Sequence, residues 1–167
     1  MRIYEGSPRQ DYEEVLRSVG AYLDDRGMRE ILVVETEVSF VVQGLVIEAT
    51  PGAGESMGSA HKETLILADD DTGKFMDDAL AARGTPKDDT PDRYESALRV
   101  IGRYIDEQKP RDIFFFEQEG SYVLRLLRIN QTGIHHELVE FTKDDVAEMI
   151  AQAPALRRTP QAPEKGR

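Results

Sequence analysis

Arg29-Glu30-Ile31-Leu32-Val33-Val34-Glu35-Thr36-Glu37 recurs 82 residues later as Arg111-Asp112-Ile113-Phe114-Phe115-Phe116-Glu117-Gln118-Glu119. The match extends outward without a gap. Towards the amino terminus Tyr12, Glu13, Leu16, Arg17, Gly20, Tyr22 and Asp24 return as Tyr94, Glu95, Leu98, Arg99, Gly102, Tyr104 and Asp106. Towards the carboxy terminus Ser39, Val41 and Ile47 return as Ser121, Val123 and Ile129. Most mismatches keep size and polarity, as in Val19 with Ile101 and Phe40 with Tyr122. Self-similarity at a constant offset marks a repeated structural unit, so the chain reads as a tandem duplication.

Past residue 48 the offset falls to 74, aligning His61, Glu63, Asp70 and Asp71 with His135, Glu137, Asp144 and Asp145. The first copy therefore carries an insertion of 8 residues within Thr50 to Ser59, where the second copy has only Asn130-Gln131-Thr132-Gly133. Its small and glycine-rich composition predicts a mobile loop. The loop lacks the Gly-Lys-Ser/Thr of a phosphate-binding P-loop, and Ser56 and Ser59 sit on no strand-to-helix elbow.

The periodicities read in the same order in both copies. Ser7-Pro8-Arg9-Gln10 suggests a helix start, and Tyr12, Val15, Leu16, Val19 and Leu23 follow at helical spacing until Gly27. The second stripe, Tyr94, Ala97, Leu98, Ile101 and Ile105, begins after Thr90-Pro91 and stops before Pro110. Ile31 to Val34 and Ile113 to Phe116 are continuous apolar runs, the pattern of strands covered on both faces. Turns at 35–37 and 117–120 lead into strands at about 39–48 and 121–129, and third strands follow at about 61–68 and 134–141. A closing helix completes each copy, with Asp70 and Asp71, or Thr142-Lys143-Asp144-Asp145, at its start. The expected fold is α+β: two helix, three-stranded antiparallel meander, helix units packed about a pseudo-twofold axis. Residues 7–83 and 90–153 form the repeats of one compact domain spanning 1–153. Residues 154–167 read as a disordered, Pro-rich basic tail.

Composition narrows the function classes. The 167 residues include no cysteine, which excludes disulfides, thiolate catalysis and cysteine-ligated metals. Residues 1–83 hold 8 Lys/Arg against 17 Asp/Glu, and residues 84–167 hold 13 against 15, for a net charge of -11. That sign opposes phosphate backbones and anionic lipids, so neither a nucleic acid nor a membrane is expected as partner. No apolar run reaches the roughly 18 residues of a membrane span. An amino terminus without an apolar leader points to the cytoplasm.

Six residues are candidates for ligand binding. His61 with Glu63, and His135 with Glu137, lie two apart on a strand and therefore share a face, where they can act as ligands or as an acid–base pair. Arg29 and Arg111 begin the first strands, one strand away from those carboxylates, and are expected to form ion pairs with Glu63 and Glu137 or to hold an anion. Glu35, Glu37, Glu117 and Glu119 read as solvated turn residues. Asp69-Asp70-Asp71-Thr72-Gly73-Lys74 departs from an EF-hand, whose glycine is sixth and glutamate twelfth, and reads instead as a helix start.

No strong catalytic constellation emerges, and no cofactor is implied. The leading expectation is a non-enzymatic interaction or scaffold module that docks another protein or a second copy of itself. The alternative is a small-molecule- or metal-binding protein, with hydrolysis among its candidate activities, whose site lies in the cleft between the repeats.

Overall fold

The structure, a computed structural model, describes residues 11–48, 59–84 and 88–154. Helix α1 spans Tyr12–Arg26 and begins at Asp11, whose side chain accepts the Glu14 backbone N–H. The expected start at Ser7–Gln10 lies outside the described residues. The helix ends at Gly27, whose left-handed φ of 65° lets its N–H close back on the Asp24 and Leu23 carbonyls.

The chain then runs through β1 (Met28–Glu35), β2 (Ser39–Glu48) and β3 (Ser59–Ala68). A short 3-10 turn at Asp69–Asp71 precedes α2 (Thr72–Ala82). The second half follows as α3 (Tyr94–Gln108), β4 (Asp112–Gln118), β5 (Ser121–Asn130), β6 (Gly133–Phe141) and α4 (Lys143–Gln152). A capping box between Thr142 and Asp145 starts α4, as its sequence signalled. The loop expected at 50–59 falls outside the described residues except for Ser59, and so does the tail beyond Pro154.

All six strands join one antiparallel sheet in the order β3-β2-β1-β4-β5-β6. The two meanders meet where β1 pairs with β4, placing Leu32 opposite Phe116 and Val34 opposite Phe114. The two three-stranded meanders thus form one continuous sheet and not two packed sheets. Edge strands β3 and β6 end up farthest apart.

The helices cover one face of that sheet. Tyr12, Leu16, Val19, Leu98, Ile101 and Ile105 from α1 and α3 pack onto Ile31, Val33, Phe40, Val42, Ile113, Phe115 and Leu124, all at 2 % exposure or less. Phe75 of α2 meets the Tyr22 ring edge-on, and Phe141 of β6 meets Tyr104. Burial of this many large apolar side chains supplies the dominant driving force for folding.

Helices α1 and α3 cross in close contact, and two glycines set the distance. A Cβ on Gly20 would lie 2.4 Å from the Tyr94 carbonyl oxygen, and one on Gly102 would lie 2.4 Å from that of Tyr12. Each helix also supplies the other's amino-terminal cap. The Asp24 carboxylate accepts the backbone N–H groups of Tyr94 and Glu95, and Asp106 accepts those of Tyr12 and Glu13, each at 3.0 Å.

The expectation for strand 1 needs correction. Among the described residues, Ile31–Val34 and Ile113–Phe116 are covered by helices on one face only. Their apolar character is continuous, but among the described residues every helix lies on the same side.

A candidate interaction face

The six polar candidates do not converge. Glu63 stands on edge strand β3, where the Arg26 guanidinium holds it through contacts of 2.5 to 3.1 Å. That hydrogen bonding, reinforced by His61 at 3.2 Å, keeps the Glu63 carboxyl below the usual range and raises Arg26. Glu137 stands on the opposite edge strand, β6, 3.1 Å from Arg128. His135 lies beside it and bonds Thr132 and Asn130 at 2.8 and 3.1 Å. Four strands separate these two edges, a distance of roughly 24 Å at the usual strand spacing.

The histidine–glutamate pairs therefore share a face within each strand, as alternation required, but belong to two distant rims. The expected ion pairs are also replaced. Arg26 takes Glu63 in place of Arg29, and Arg128 takes Glu137 in place of Arg111. Arg29 precedes a bulge in the β1–β2 pairing, where Glu30 adopts φ 50°, and Arg111 donates its backbone N–H to Leu127. The arginine that reaches each glutamate comes from a helix end or the neighbouring strand, a choice that repeat spacing does not encode.

Glu35 and Glu117 correct the solvated-turn reading. Glu35 closes β1 at 5 % exposure and accepts the Tyr12 hydroxyl at 2.7 and 2.8 Å. Burial pushes its carboxyl up to about 8, opposed by the tyrosine hydrogen bond. Glu117 accepts the Tyr94 hydroxyl at 2.6 Å and the Glu30 backbone N–H at 3.0 Å. Burial and this carboxylate push the Tyr94 phenol far up. The recurrence of both tyrosines and both glutamates was the available signal, but the contact joins residues 23 apart and needed the fold to become visible.

Other polar clusters are structural. The carboxylates of Asp11, Glu13 and Asp106 approach within 4.8 Å of one another, where Asp11 and Asp106 cap the start of α1. Arg99 is 3 % exposed and holds Glu13 at 3.2 Å, Asp89 at 3.6 Å and the Ala153 carbonyl at 2.7 Å. It ties α1, the segment before α3 and the end of α4 together. A small open cavity of about 70 Å³ lies between Asp24, Asp25, Arg83, Arg93 and Glu95, with Arg83 and Glu95 in direct ionic contact.

The remaining feature is the sheet's other face. Strand alternation sends Leu32 and Val34 of β1, Val41 and Leu45 of β2, Phe114 and Phe116 of β4, and Val123 and Leu127 of β5 to the side opposite the helices. All are half-buried, with no helix over them among the described residues. Ile47, Ile66, Ile129, Ile134 and Leu138 extend the surface with exposures of 49 to 71 %. Phe114 and Phe116 meet edge-on at 5.9 Å, and the Arg125 guanidinium lies 5.0 Å from the Phe114 ring. The registers align Ile66, Val41, Val34, Phe114, Arg125 and Leu138 in one row across all six strands.

An antiparallel sheet with one solvated face ordinarily turns polar residues outward. This one does not. Exposed apolar surface on that scale is unusual for a sheet face turned to water. The sequence had placed these residues on strands without singling them out, since an uninterrupted apolar run looks the same whether its second face is covered by the chain itself or by something else.

No protein-family model, curated protein or solved structure matches the chain. No helix among the described residues is long and apolar enough to cross a membrane.

Proposed function

We propose that the protein is a non-enzymatic protein–protein interaction module, and that the uncovered sheet face is its docking surface. The observation that carries this reading is the single-row alignment of Ile66, Val41, Val34, Phe114, Arg125 and Leu138, apolar but for the one arginine, across a face with no helix over it among the described residues. The chemistry of the face fits a protein partner. Aromatic and branched aliphatic residues dominate its centre, while Lys62, Thr64, His136 and Glu140 stand towards its rim, the distribution found in protein interfaces.

The scaffold under that face is, on the same proposal, a tandem duplication with its two copies related by a pseudo-twofold axis between β1 and β4. The reciprocal contacts support it: Asp24 with the start of α3 and Asp106 with the start of α1, Gly20 against Tyr94 and Gly102 against Tyr12. Doubling a three-stranded unit widens the sheet to six strands and so doubles the docking area.

A photoreactive benzoylphenylalanine in place of Phe116 tests the reading inside cells. A covalent adduct to a polypeptide is expected on irradiation, and none is expected from the same group at Val38, which is exposed on the β1–β2 turn. Loss of adduct at position 116 across growth conditions, with the protein folded, overturns it.

A further inference from the structure

Resting on the docking reading, we propose that the occupant of the outward face is a second copy of the chain, packed sheet against sheet as a twofold-symmetric dimer. Three observations converge on self-association.

The first is charge. The chain as a whole carries -11, yet by strand register the outward positions hold three cations, Arg29, Lys62 and Arg125, against two acidic groups, Asp112 and Glu140, a nearly neutral set. A balanced face does not repel its own copy, and it offers no field to draw a strongly basic or acidic partner. The acidic excess lies elsewhere on the molecule, where it keeps other approaches unfavourable.

The second is area. Six strands spaced at about 4.8 Å, with outward residues over a length of about 25 Å, give a face of roughly 700 Å², close to the ~800 Å² per partner of a standard interface. A short peptide leaves most of such a face uncovered. A second identical sheet covers it, at the roughly 10 Å separation typical of packed sheets.

The third is the edges. Lys62 and Glu63 on β3, and Glu137 and Glu140 on β6, place charges along both outer strands. Charged edges resist strand addition, so association through the sheet rim is disfavoured. The apolar surface that remains is centred on β1 and β4, so a twofold axis brings Phe114 and Phe116 of one copy onto the same region of the other.

Sedimentation equilibrium of the full chain tests this directly. The expected mass is twice 18.8 kDa at micromolar concentration, undiminished in 1 M NaCl because the contact is apolar. Leu138→Glu, on an edge strand at 71 % exposure, is expected to weaken the dimer at least tenfold, with Val38→Glu as an unaffected control. Phe116→Glu should abolish the dimer. If that variant misfolds by circular dichroism, Leu138→Glu still decides the matter, since its side chain lies outside the core.

A wild-type monomer at all concentrations overturns the proposal, as does a dimer that survives both substitutions. The crosslinking experiment separates this failure from that of the docking reading. An adduct to a different protein leaves the docking face standing and removes the dimer, whereas no adduct removes both.

Discussion

Ile113 and Phe115 are 2 % and 0 % exposed under the helices, while Phe114 and Phe116, their neighbours on the same strand, face away and stay half-buried. One strand thus presents two apolar surfaces with different fates. The inward surface is closed by α1 and α3 within the chain. The outward surface has an apolar composition too, with no helix over it among the described residues. Apolarity alone therefore does not report burial under the helices, since half of it lies on the other face.

Substitutions on the two faces should separate these roles. Phe115→Ala empties a packed position and is expected to cost about 4 kcal/mol in urea unfolding. Phe116→Ala, measured at dilutions that favour the monomer, should cost about 1 kcal/mol, because the neighbouring side is open. Equal losses would mean that the outward face is part of the folding core.

The closed side is also vulnerable at its helix crossing. Gly20→Ala or Gly102→Ala drives a methyl into a carbonyl oxygen that belongs to backbone, so about 3 kcal/mol of stability should be lost by thermal unfolding in either variant. Matching losses at the two positions would sharpen the case for a twofold scaffold, and a large disparity would weaken it.

Glu35 gives the closed side a pH dependence. Its carboxyl titrates near 8 when folded and near 4.5 when unfolded, so between these values the folded protein holds a proton that the unfolded chain has released. Stability is fully present below about pH 4.5 and falls as pH rises through 8, on the order of a few kcal/mol from this group. Glu35→Gln should flatten that slope in chemical denaturation from pH 5 to 9. An unchanged slope would show that Tyr12 and the surrounding burial do not set the proton.

Smaller effects are expected at the caps and rims. Asp24→Ala and Asp106→Ala each leave two helix N–H groups unsatisfied and should cost about 1.5 kcal/mol. Glu63→Gln, at a solvent-exposed ion pair with Arg26, should leave the unfolding midpoint essentially unchanged. A larger loss would indicate that the β3 rim is buried in an assembly.

Much of the architecture was legible before any coordinates. The helical stripes from Tyr12 and Tyr94, the three strands of each meander, and the Thr142 start of α4 follow from local periodicity and capping chemistry. The site was less legible. His61 with Glu63 was readable as a same-face pair because alternation is local. Its distance from His135 and Glu137 depends on which strands meet, and that was decided by the β1–β4 pairing. The Tyr12–Glu35 and Tyr94–Glu117 contacts were hidden for the same reason.

By itself the sequence determined the elements, their order and the alternation that divides each strand into two sides, because these depend on backbone geometry over a few residues. Only the tertiary structure decided that β1 pairs with β4, that all described helices gather on one side, and that Phe114, Phe116 and Leu138 lie on the face with no described helix over it. An apolar run records that a surface avoids water. It carries no record of which surface, in the same chain or another, will exclude it.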